Sequence, residues 1–106
     1  MMVVTSETIA NKRIVKTLGL VRGNTVRARH VGKDIMAGLR NIVGGEIHEY
    51  AKLMGESREQ TFDRMVAEAA ALGANAIVAT RFTTSVMMGG AAELLAVGTA
   101  VIVEDE

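Results

Sequence analysis

The stretch Leu94-Leu95-Ala96-Val97-Gly98-Thr99-Ala100-Val101-Ile102-Val103 decides how this chain is read. It is apolar on both alternating sides, with Leu94, Ala96, Ala100 and Ile102 on one and Leu95, Val97, Val101 and Val103 on the other. Successive side chains of a strand point to opposite faces, so a strand that is apolar on both needs cover on both. A second β-rich stretch, Ala76 to Thr84, precedes it, and Val86-Met87-Met88-Gly89-Gly90-Ala91-Ala92 lies between them. The length, the β-branching and the glycine pair predict an antiparallel hairpin.

Upstream of the hairpin the period changes. Ile47, Tyr50, Met54, Ser57, Thr61, Met65, Ala69 and Leu72 recur at spacings of three and four, which predicts a long helix from about Glu46 to Leu72, closed by Gly73. Before it, Ile35, Met36, Leu39, Ile42 and Val43 share one helical face; Asp34 caps this short helix and Gly44-Gly45 ends it. Ile14 to Val21 reads as a strand ending at Arg22-Gly23-Asn24, with Thr25 to Arg29 either extending it past a bulge or looping away. Val3 and Val4 suit a short strand. The fold class is α+β, and residues 1–106 form a single domain, since no proline or linker marks a boundary.

The long helix raises a problem of cover. At 1.5 Å per residue it spans roughly 40 Å, more than a domain this small can shield. Together with the two-sided final strand, this predicts a closed homo-oligomer. The alternative is a bent helix on a monomer.

Composition narrows the function. Twelve Lys and Arg balance twelve Asp and Glu, so no global field draws the chain to nucleic acid or to a membrane, and neither is expected as a partner. The absence of cysteine removes disulfides, thiol nucleophiles and thiolate metal sites. The aromatic side chains are Tyr50, Phe62 and Phe82, leaving bases and sugars little to stack on. No apolar run is long enough to span a bilayer and no secretory leader pattern opens the sequence, so a cytoplasmic location is expected.

Two constellations could bind. His30, His48 and Glu46 combine imidazole with carboxylate, which suits a divalent metal, although no His-x3-His pair accompanies them. The competing reading is a solvated helix start whose acids favour the positive end of the dipole. Arg27, Arg29, His30 and Lys33, followed by the helix starts at Asp34 and Gly44-Gly45, could hold a small anionic ligand; the competing reading is a solvated loop with a tight corner. Ser57 and Thr61 lie one turn apart without a histidine to serve as base, so they are read as core or interface hydroxyls. The methionines are read as core filler.

The run Gly23 to Gly45, above all Asp34-Ile35-Met36-Ala37-Gly38-Leu39-Arg40-Asn41-Ile42-Val43-Gly44-Gly45, resembles the signature of the YbjQ family. Tyr50, Arg58-Glu59, Leu72-Gly73-Ala74-Asn75-Ala76-Ile77-Val78 and Gly98-Thr99-Ala100-Val101 resemble it too. The resemblance implies a β-α-β-β dodecin-like subunit, one short and one long helix on an antiparallel sheet, assembling into a closed ring, a homopentamer. It also brings a heavy-metal-binding label without an established function. On this pattern Asp34, Arg40, Tyr50 and Arg58 take structural or interface roles, Arg58 as half of a buried inter-subunit ion pair with an acid such as Asp34 or Glu68. The chain departs from the pattern at His30, Asn41 and Glu46, and at Asn75, Arg81 and Thr83, where relatives carry carboxylates. A ring-forming protein that binds a small ligand or ion at its subunit interfaces is therefore the first expectation. A His/carboxylate metal protein is the alternative, and an enzyme comes last, since no acid, base and nucleophile assemble.

Overall fold

The computed structural model describes the backbone of residues 1–27, 45–86 and 91–106, and their side chains except those of 45–51. Strand β1 is Met2–Val3, β2 is Lys12–Arg27, helix α1 is Gly45–Ala71, β3 is Ala76–Val86 and β4 is Ala92–Asp105. The four strands form one sheet in the order β1-β3-β4-β2. β4 is antiparallel to both its neighbours, Ala76 pairing with Val101 and Val86 with Ala92 in the hairpin. The sheet is nonetheless mixed rather than antiparallel, because β1 runs parallel to β3 with Met2 opposite Ala76. The short helix read over 34–43 lies outside the described residues.

The long helix keeps its expected bounds, and its end has a clear cause. Gly73 takes a φ of 86°, its N–H donates to Ala70 O at 3.0 Å, and the Ala74 N–H reaches back to Ala69 O at 3.1 Å. This is a Schellman ending, in which a residue without a β-carbon takes the left-handed turn and the last carbonyls are satisfied. Ala74 then packs against the core cluster that holds Ala69, the apolar contact that accompanies such endings. Leu72, read as part of the buried stripe, lies past the helix end and is exposed.

Ser57, Thr61, Met65 and Ala69 form the buried stripe of α1. Met65 and Ala69 meet Val21 of β2, Ile77 of β3 and Ala96 and Ala100 of β4 in the main core. The opposite face of the sheet, expected to need a neighbour, is partly covered from within the chain. Val4 and Ile9 of the N-terminal segment pack on Ala76, Val78 and Val101.

Of the two readings of Thr25 onward, extension of the strand is the one observed for the described residues. β2 runs on to Arg27, with its irregularities earlier, between Ile14 and Lys16 and between Thr17 and Gly19. Gly23 is buried beneath α1. A β-carbon there would stand 2.5 Å from Met65 N, 2.9 Å from Arg64 Cβ, and closer still to Thr61 O. This glycine is an approach point for a helix backbone, not a chain breaker. Gly23→Ala would force α1 off the strand, so it is expected to cost about 2–3 kcal/mol or more in urea unfolding at fixed protein concentration, at the upper end of overpacking penalties. A loss within about 0.5 kcal/mol would show that the helix lifts at little cost.

Candidate functional site

The close approach at Gly23 brings a row of polar groups together along the contact between α1 and β2. Thr25 and Thr61, both buried, share a hydrogen bond of 2.8 Å between their hydroxyls. Arg27 donates from Nε to Ser57 Oγ at 2.8 Å and from Nη2 to Gln60 Oε1 at 2.5 Å. Ser57 Oγ in turn donates to Leu53 O at 2.9 Å, and Arg64 Nη1 donates to Asn24 O at 2.6 Å. Ser57 and Thr61 are therefore core hydroxyls, and Arg27 holds strand to helix. These side chains alternate along β2 and recur every three or four residues along α1, so each element presents its polar groups to the other.

Next to this row lies an open depression of about 310 Å³, lined by Arg58 and Glu59 of α1, Phe62 one turn on, and Phe82 of β3. It exists because α1 lies over β2 and β4 and scarcely reaches β3. Phe82, on the helix-facing side of β3 opposite Ala96, is left 49% exposed. Two of the three aromatic residues thus flank a mainly apolar hollow with a cation and a carboxylate at its rim. Such a lining suits the apolar body of a small ligand with one polar end.

The residues predicted from sequence fall into three groups. Arg27 is drawn inward to α1 instead of standing in a cationic loop. Arg58 is exposed at the rim of the depression; in the single chain it makes no ion pair with Glu68, and Asp34 lies outside the described residues. Gly45, Glu46, His48 and Tyr50 belong to the first turns of α1, where no side chain is described, while Arg29, His30, Lys33, Asp34, Arg40 and Gly44 lie outside the described residues. Among the described residues no group of three or more His, Asp or Glu gathers to hold a metal ion. Asn75, where the resembled pattern has Asp, uses its amide as a backbone mimic: Nδ2 donates to Val103 O at 2.9 Å and Oδ1 accepts from Val103 N at 2.8 Å. A carboxylate could supply only the second bond. Sequence reading missed Thr25, Gln60, Phe62 and Phe82; the alternation Val21, Gly23, Thr25, Arg27 was the available signal for the first.

Away from the depression, the far end of the sheet is closed by Lys12 with Asp105 and Arg13 with Glu104, facing pairs in the β2–β4 register. The hydrogen bond and charge of Lys12 hold the Asp105 carboxyl below the ordinary aspartate range. A lowered folded-state pKa means that this contribution to stability is present above the unfolded value and lost as pH falls through the folded one.

Comparisons with known proteins agree with one another. A family model described as "Putative heavy-metal-binding" matches residues 1–104. A UPF0145 protein of Methanosarcina acetivorans is 56% identical over 101 residues, 95% of each chain. Another, from Dehalococcoides mccartyi, is 56% identical over 104 residues, 98% of this chain and all of its own, and one from Archaeoglobus fulgidus is 58% identical over 99 residues, covering 93% and 92%. Among solved structures, a protein of unknown function of the DUF74 family from Pediococcus pentosaceus superposes with a TM-score of 0.68 over 98% of both chains at 14% identity, a likeness of fold.

Two measurements test this geometry. Thr25→Val and Thr61→Val are each expected to cost about 1 kcal/mol, and the double variant clearly less than their sum, since each single change strands the other hydroxyl; strict additivity in urea titrations would dissolve the pair. By carbon-detected NMR, the Asp105 carboxyl should titrate below an ordinary aspartate and return toward it in Lys12→Met. An unchanged midpoint in that variant would remove Lys12 as the cause.

Proposed function

This chain belongs to the YbjQ family, and from that premise we propose that it is the subunit of a cytoplasmic closed homo-oligomeric ring, a pentamer as the resemblance implies, that binds a small anionic ligand where subunits meet. One observation carries the reading. Among the described residues large apolar side chains stand bare, Leu20 at 66% exposure, Phe82 at 49% and Val86 at 83%. Bare apolar side chains on the sheet of so small a chain are ordinary for a subunit and unusual for a lone domain.

The depression supplies the ligand part of the proposal. Its apolar wall and the Arg58 guanidinium suit an anion with an apolar body; Arg29, His30 and Lys33, candidates from the sequence, lie outside the described residues. Arg27 does not take part, since two of its donors already serve α1.

The family description favours a second reading, a divalent metal held by His30, His48 and Glu46. The described residues do not form such a site, and without cysteine the donors would be imidazole and carboxylate.

Sedimentation should give a mass several times 11.3 kDa at micromolar concentration; a single-subunit mass would end the ring reading. A thermal-shift screen of anionic metabolites should show stabilisation that Arg58→Ala or Arg29→Ala abolishes. Metal analysis of protein purified without an affinity tag decides the second reading. An ion bound stoichiometrically and lost in His30→Ala and His48→Ala would replace the anion with a metal.

A further inference from the structure

The two faces of the sheet differ in their cover. α1 lies on one, against Ala96 and Ala100 of β4. The N-terminal segment lies on the other, where Val4 and Ile9 pack on Ala76, Val78 and Val101. That second cover ends at Arg81, whose Nη1 donates to Thr5 O at 2.7 Å. Beyond it the strand registers align two cross-strand rows on the same face, Arg22 with Val97 and Arg81, then Asn24 with Leu95 and Thr83. The β2 and β3 members are exposed and the β4 members half-buried, so Val97 and Leu95 form an apolar floor between two polar walls.

Two arginines thus flank one valine. Two strand spacings of about 4.8 Å put their backbones roughly 10 Å apart, close enough for both guanidiniums to lean over Val97. Among the described residues neither is neutralised by a carboxylate. The ion pairs found there join Lys12 to Asp105 and Arg13 to Glu104 at the other end of the sheet, and leave Glu7 and Glu93 out. Glu93 shares the face but stands four residues along β4 from Val97, about 13 Å away, where Asn24 Nδ2 donates to its Oε2 at 3.4 Å. Arg81 is held in place, since Nη1 serves Thr5 O and, at 2.8 Å, Thr80 O, while Nε and Nη2 have no partner among the described residues.

We propose that Arg22 and Arg81, together with the Thr83 hydroxyl, bind the phosphate group of a small phosphate monoester, whose apolar part rests on Val97 and Leu95. This site is separate from the depression beside α1, on the opposite face of the sheet, and it does not depend on the ring.

Charge selects the ligand. A carboxylate brings one negative charge and two oxygens, which a single guanidinium saturates, whereas a phosphate monoester brings close to two charges and three acceptor oxygens. Two guanidiniums and a hydroxyl match the phosphate. Extent sets its size. A nucleic-acid strand needs cations repeated along a track and bases stacked on aromatic rings, while this patch offers two cations in one row and no ring. An anion seated between the arginines also replaces their mutual repulsion with two attractions.

The experiment titrates the full chain with phenyl phosphate, and in parallel with benzoate, by isothermal titration calorimetry at low salt. Phenyl phosphate is expected to bind saturably, one per chain, and benzoate about tenfold more weakly or worse. Arg22→Gln and Arg81→Gln should each weaken phenyl phosphate by about tenfold or more, the scale of one charge-assisted hydrogen bond, and Thr83→Val by a few-fold. Arg58→Gln, on the other face, should leave the affinity unchanged. Arg22 takes part in no hydrogen bond or ion pair among the described residues, so Arg22→Gln decides the matter if Arg81→Gln, which gives up the tether to Thr5, fails to fold. Absence of saturable binding, or binding that survives Arg22→Gln, would overturn the site. Loss in Arg58→Gln instead would overturn it by moving the anion to the depression, and benzoate bound as tightly as phenyl phosphate would overturn the choice of ligand.

Discussion

The contact on which the rest of the structure depends is the one between the backbone of α1 and the buried face of Gly23. With no side chain at that position, the helix settles against β2 at Thr61 and Met65, closer than side chains would otherwise allow. Two consequences follow. The helix becomes fixed over β2 and β4, so Thr25 meets Thr61 and Arg27 reaches Ser57 and Gln60. For the same reason it stands away from the distal half of β3, which leaves Phe82 and Phe62 with a hollow between them. One absent β-carbon thus sets both the polar contact that locates the helix and the cavity beside it.

Much of the fold was legible because its signals are local. The hairpin follows from β-branching on either side of a glycine pair, and the helix from a four-residue spacing that ends at Gly73. Ser57, Thr61, Met65 and Ala69 were readable as one stripe for that reason. The remainder depended on contacts between distant segments. Gly23 looks like a strand terminator until the helix above it is known, because the demand for a bare backbone comes from residues about forty positions away. Ala79 adopts a φ of 53° at the irregularity between Val78 and Arg81, and an alanine in that conformation leaves no trace in sequence. The candidate site was less legible than the fold. Arg27 was grouped with Arg29 by spacing alone, and only the third dimension separates a cation that locks a helix from one free to meet a ligand.

The same geometry bears on what the chain can do. Ser57 and Thr61 are each engaged in packing bonds, Ser57 accepting from Arg27 while donating to Leu53 O. A hydroxyl so engaged is a poor nucleophile, since attack would break the bonds that locate the helix. Among the described residues shape and charge remain accessible at the edge of α1, where Arg58, Glu59 and Phe82 face solvent.

The first nine residues have a bearing on how the protein is handled. They are a working part of the sheet: they hold the Ala79 kink by two backbone bonds and lie over Ala76, Val78 and Val101. A protease that clipped this leading segment, or a bulky fusion that pulled it aside, would lay bare Ala76, Val78 and Val101 and free the N–H groups of Ala79 and Thr80. An uncovered strand margin of that kind is a template for pairing with other chains. Residues 4–9 therefore cover that part of β3, and a purification handle placed at the other end leaves the cover undisturbed.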